Sequence, residues 1–167
     1  MMARFVSLVF LAALACTSPT KNTDKPGSFS FGVQYLYTGE TFYESVSIRD
    51  NTMTRTYFND TGKCKQALRS PCWTQEDLMT TSAELSGDEV QGFKKLVEET
   101  NFMASDPDPD AVVGKQRFYS YKITVTYKGA THQVITGSFP GSASAPTAVR
   151  AIYRRLIDAS KQKGLGS

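Results

Sequence analysis

The sequence predicts an α+β domain, an antiparallel sheet of about five strands with two helices packed on one face, and three observations carry that expectation. Between Phe118 and Thr136, apolar and polar residues alternate on either side of Lys128-Gly129, the pattern of a hairpin. Between Ser28 and Phe58 the same period of two is broken by two short turns, the pattern of a meander. Two later stretches, Val90 to Val97 and Val149 to Ile157, repeat apolar residues at helical spacing.

Before the domain comes a leader. Arg4 is followed by an apolar run from Phe5 to Ala15, interrupted only by Ser7, with the length of a signal-peptide core and too short to span a bilayer as a helix. Small Ala13 and Ala15 flank Leu14 directly before Cys16, and this resembles the lipobox of bacterial lipoproteins, whose cysteine is diacylated and becomes the first residue of the mature chain. Ala13 stands where leucine is usual, so the same three residues also satisfy the small-x-small rule of ordinary secretory cleavage. Cysteine parity favours the lipid. The chain has three cysteines, and lipidation of Cys16 leaves Cys64 and Cys72 to pair in an oxidising compartment. Two or three acyl chains contribute more than ~20 kcal/mol of membrane affinity, in effect a permanent attachment. Thr17, not Asp, follows the cysteine, which by the usual sorting pattern implies the outer membrane, on either its periplasmic or its surface side.

Residues 1–15 are therefore expected to be a signal peptide, residues 16–27 a tether and residues 28–163 one domain. The tether is polar and carries Pro19 and Pro26, and when extended it reaches about 35 Å. The length suits a single domain burying roughly 68–70% of its unfolded surface. The 19 basic and 16 acidic residues are scattered along the chain, and no basic stripe with interleaved aromatics argues for nucleic acid.

Within the domain, Phe29, Phe31, Val33, Tyr35 and Tyr37 share one side of the first strand. Glu44, Val46 and Ile48 oppose Tyr43, Ser45 and Ser47 in the second, and Met53 to Phe58 form the third. Asn59-Asp60-Thr61-Gly62 ends the meander. Cys64 and Cys72 then bracket a short loop whose closure as a disulfide contributes roughly 2.5 kcal/mol in the chain-entropy account; zinc would need more ligands than two cysteines and His132 provide. Trp73 follows, either packed on the bridge or exposed as a binding anchor. Leu78 to Leu85 offers a further short strand. Ser86 and Glu89 form a capping box at the head of the first helix. Asp106, Asp108 and Asp110 alternate with prolines and invite a calcium reading. An EF-type loop would need Gly at Ala111 and Glu at Arg117, so a solvated acidic loop is expected. A two-residue turn at Lys128-Gly129 places His132 opposite Val125, on the apolar face. The Gly/Ser/Pro stretch 137–144 lacks the ending of a P-loop. Pro146 starts the last helix, whose other side carries Arg150, Arg154 and Arg155, read as a solvated face or a contact for acidic groups.

From Leu85 onward, the capping box, the helix ending at Asn101-Phe102, the hairpin with Lys128-Gly129 and His132, and the Pro-started helix resemble small bacterial lipoproteins of unknown function and the emfourin-type inhibitors of thermolysin-like metalloproteases. The resemblance implies the fold. The Gly-Gly pair expected after the inhibitors' first strand is absent and the cysteine loop is extra, so no inhibitory residue carries over.

No triad, activated nucleophile or paired acid and base is legible, and no cofactor or metal is expected. The expected role is that of a lipid-anchored, non-catalytic binding module meeting an envelope protein, with protease inhibition as one version and a hydrolytic envelope enzyme as the competing class. Tyrosine and phenylalanine on the strands exceed what one sheet face requires, which makes Tyr35, Tyr37, Tyr43, Tyr119 and Tyr121 candidates for a contact patch. If Cys16 carries the lipid, Cys16→Ser leaves the membrane fraction or accumulates as precursor. Fractionation with intact-mass measurement checks it, and a wild-type mature chain without added mass would refute it.

Overall fold

The computed structural model describes residues 30–65, 70–106 and 120–165. Alternating sequence becomes sheet throughout: β1 (Phe31–Thr38), β2 (Tyr43–Arg49), β3 (Thr52–Phe58), β4 (Leu78–Glu84), β5 (Ser120–Tyr127) and β6 (Ala130–Thr136). They pair antiparallel in the order β4-β3-β2-β1-β5-β6. The sheet thus has six strands where about five were expected. The additional one is β4, whose residues are almost all exposed and which therefore lacks the apolar alternation that betrays the other strands.

Two of the tight turns show why these residues end strands. Lys128 and Gly129 take φ of 50° and 78°, the left-handed pair that matches a two-residue hairpin to strand twist. Asp50, at φ 51°, turns β2 into β3. Its carboxylate accepts hydrogen bonds from the Ser30 hydroxyl at 2.9 Å, Ser30 N at 3.0 Å and Phe31 N at 3.2 Å, and these hold its pKa below the usual range. One aspartate thereby fixes a turn and the start of the neighbouring strand.

The helices are α1 (Gly87–Glu99) and α2 (Thr147–Gln162). The expected capping box is in place: Glu89 N donates to Ser86 Oγ at 3.2 Å, and Ser86 N donates to Glu89 Oε2 at 2.7 Å. Val90, Phe93 and Val97 of α1 join Val149, Ile152 and Leu156 of α2 over Phe31, Val33, Tyr35, Val46, Ile48, Met53, Ile123, Val125 and Val134. These strand residues share one side of the sheet, so both helices cover the same face. The core is continuous with Phe102, from the turn after α1.

The face away from the helices carries Leu36, Tyr43, Phe58, Leu78 and Ile135 among a larger number of polar residues. Gln34, Ser45, Thr54, Thr56, Thr80, Ser82, Thr124, Thr126, Thr131 and Gln133 lie on it, and they bond in cross-strand pairs. Thr54 meets Ser82 at 3.0 Å, Thr56 meets Thr80 at 3.1 Å, Thr126 meets Thr131 at 2.9 Å, and the Gln34 amide donates to Ser45 at 3.1 Å.

Cys64 and Cys72 lie within disulfide distance, with Cα atoms 5.2 Å apart. Past the bridge, Cys72 N donates to Glu40 O, and the Trp73 indole donates to Gly39 O at 2.9 Å. Trp73 also packs edge-on to Tyr43, on the sheet side away from the helices. Cys72 and Trp73 therefore strap the β1–β2 turn.

The end of the chain returns to the start of α1, where Lys163 Nζ donates to Glu89 Oε2 at 2.9 Å. This bond, with Ser86 N, holds the Glu89 pKa at about 2, below its ordinary value of 4.5. A depressed carboxylate contributes stability that is present above its unfolded pKa and is lost as pH falls from there toward about 2. In denaturant titrations across that window, Glu89→Gln should lose less of its midpoint than the wild type. Parallel curves would show that this carboxylate does not contribute.

Candidate functional site

Register decides which tyrosines meet. In the β1–β5 pair Tyr37 lies directly opposite Tyr121, and because both point to the helix side their rings stack, with centroids 4.3 Å apart and planes 13° from parallel. Phe42, from the turn after β1, leans on Tyr37 at 4.8 Å. Phe139, from the loop before α2, meets Tyr121 edge-on at 5.8 Å and Tyr153 of α2 at 5.2 Å. Tyr153 in turn stands on the buried Tyr35 at 4.9 Å. The result is one continuous row of six rings. It opens to solvent at Phe42, one of its ends, which is 39% exposed, and at Phe139, which is 47% exposed, whereas Tyr35 closes the other end in the core.

The charges nearest the row are locked. Arg55 donates to Glu44 Oε1 through Nε at 3.2 Å and Nη2 at 2.9 Å, and through Nη1 to Leu165 O at 2.9 Å. Tyr35, Tyr37 and Tyr153 stay protonated. Burial, followed by the charge of Glu44, raises Tyr153 to about 12; burial first and Tyr153 second push Tyr35 far up; burial and then Tyr121 raise Tyr37. The patch is thus neutral and aromatic, with phenol groups able to donate hydrogen bonds at any physiological pH.

The loop that presents Phe139 is held from the helix. Arg154 Nη2 donates to Gly141 O at 3.2 Å and Arg150 Nη1 to Ala143 O at 3.1 Å. The third arginine, Arg155, lies 5.4 Å from the Phe93 ring centroid. What the sequence presents as a solvated basic face is in part a clamp on a loop. Gly141 has a steric task in it: a Cβ there would stand 2.7 Å from Phe139 Cε1 and 3.1 Å from Tyr153 Cε1.

Of the five tyrosines named from sequence, Tyr37 and Tyr121 form the centre of the row. Tyr35 supports it from below. Tyr43 is on the opposite face against Trp73, and Tyr119 lies outside the described residues, as do Cys16 and Asp108 and Asp110 of the acidic loop. Phe42, Phe139 and Tyr153 were not singled out. Phe139 is the one with a readable signal, a lone large aromatic in a stretch of Gly, Ser and Pro.

His132 is opposite Val125, as the two-residue turn requires. Its Nε2 is 2.9 Å from the Ser105 carbonyl, which makes that nitrogen the donor, and its ring meets Phe102 edge-on at 5.6 Å. Among the described residues no group of three His, Cys, Asp or Glu is arranged to hold a metal ion. A hollow of about 60 Å³ above Gly32, lined by Gln34, Ser47, Arg49, Thr124 and Thr126, brings hydroxyls together, and its described lining holds no histidine or carboxylate. No protein-family model matches the chain, and no curated protein matches it.

Gly141→Ala should displace the Phe139 ring from Tyr121 and Tyr153 while leaving the core in place. Loss of the Phe139 NOEs to those two tyrosines, with an unchanged core spectrum, is the expected result; retained NOEs would show that the loop yields instead.

Proposed function

We propose that this protein is a lipid-anchored module of the bacterial cell envelope, held to the outer membrane through Cys16, and that it acts without catalysis by receiving an envelope protein on the aromatic row. The row is the observation that carries the reading. A patch in which exposed Phe42 and Phe139 flank a stacked tyrosine pair has the composition of an interaction surface: large rigid rings that lose little entropy on contact, with hydroxyls to orient a partner. The resemblance of the second half to emfourin-type inhibitors makes an envelope metalloprotease one candidate partner. Support for a non-catalytic role comes from the same geometry, since His132 uses its N–H on Ser105 and Glu89 is committed to a cap and an ion pair.

The test is crosslinking in intact envelopes, comparing wild type with Phe42→Ser and Phe139→Ser, both of which alter exposed rings. An aromatic contact worth roughly 1–2 kcal/mol corresponds to about a five- to thirtyfold loss of capture per variant, with the thermal midpoint unchanged. Equal capture by both variants would remove the patch from consideration. A turnover abolished by His132→Ala would overturn the non-catalytic reading.

A further inference from the structure

A strand at the rim of a sheet has backbone donors and acceptors on its outer side that call for water or another strand. The described sheet has two rims, β6 and β4. The turn Phe102–Ala104 and Ser105 lie against β6 through His132, which bonds Ser105 O and packs on Phe102. β4 is different. Met79, Thr80, Thr81 and Ser82 are all exposed, Met79 to 48%. The strand has no lysine, arginine or proline, and its pairing with β3 runs without a bulge from Phe58↔Leu78 to Thr52↔Glu84. Among the described residues, Glu84 at the strand's end is the only charge on this edge, and neither a proline nor a bulge blunts it.

The geometry points to a second copy of this chain as the occupant: we propose that two β4 strands pair antiparallel about a two-fold axis at Thr81, joining two sheets into one. Thr81 is the midpoint of Leu78–Glu84, so this register uses the whole strand. It is also self-complementary in side chains. Met79 faces Ala83 of the partner subunit on the helix side, which covers part of the exposed thioether. Thr80 faces Ser82 of the partner subunit on the other side, and this extends the hydroxyl pairs that Thr80 and Ser82 already make with Thr56 and Thr54. The strand's single charge, Glu84, is opposite Leu78 of the partner subunit. The two Glu84 carboxylates sit at opposite ends of the interface, about 20 Å apart at the rise of a strand, and each already accepts bonds from Asn51 and Thr52 of its own chain. Within the paired strands no two like charges face each other, which is the electrostatic condition for an isologous contact. The aromatic row, on β1, β5 and α2, remains free.

The experiment uses the full chain in mild detergent. A residue on the axis faces itself, at a Cα separation of about 4.5–5.5 Å that a disulfide can close. Thr81→Cys should give a covalent dimer under mild oxidation, whereas wild type and Thr131→Cys, on the other rim, should not. Thr81→Lys places two ammonium groups face to face and should shift the mass measured by light scattering from dimer to monomer, with the circular dichroism of the fold retained. A wild type that is monomeric at hundreds of micromolar would overturn the proposal. So would equal crosslinking at position 131, or a Thr81→Cys adduct with a different protein in place of the dimer.

Discussion

The pairing of β1 with β5 is the contact on which the rest of this structure depends. β1, the first strand of the early meander, is also the strand that meets the late hairpin, and without that pairing the hairpin would be a two-stranded sheet, marginal at best on its own. The pairing joins segments separated by most of the domain, a costly closure that only a large buried surface can offset. That surface is Phe31, Val33 and Tyr35 beside Val125 and Ile123, all fully buried and roofed by α1 and α2. The same register puts Tyr37 on Tyr121. The functional candidate and the centre of the fold are thus consecutive rungs of one ladder.

Polar contacts tie the residues after α2 to this framework. Glu89 with Lys163, and Arg55 with Glu44 and the Leu165 carbonyl, join residues far apart in sequence and hold the last turn of α2 against the head of α1 and the middle of the sheet. Each is partly exposed and individually weak. Their importance is positional, since they determine where α2 ends and therefore how the loop before it, with Phe139, is presented.

Much of this was legible in the residues. Alternation, the Lys128-Gly129 turn and the Ser86–Glu89 cap follow from local stereochemistry, so the hairpin, the meander and the first helix are where the sequence puts them. β4 is faint because an exposed rim strand has no reason to alternate. The patch was half legible. Tyrosines one rung apart in sequence can be assigned to a face, but which of them meet depends on register, and register depends on turn length. The Gly39–Phe42 turn places Tyr43 opposite Thr38 on the far side of the sheet, away from Tyr37. Phe42 and Phe139 were hidden for the opposite reason: they come from a turn and a loop, where no periodicity marks a residue.

The paired hydroxyls on the uncovered face bear on how this protein avoids fibres. Lamination of sheets into cross-β layers requires two faces to expel water and interlock as a dry zipper. On one face α1 and α2 stand in the way. On the other, Thr54, Thr56, Thr80, Ser82, Thr126 and Thr131 spend their hydroxyls within the sheet and offer a second layer few unmet bonds. Growth is left to the rims, and a two-fold contact at β4, being closed by its own symmetry, does not propagate through that rim.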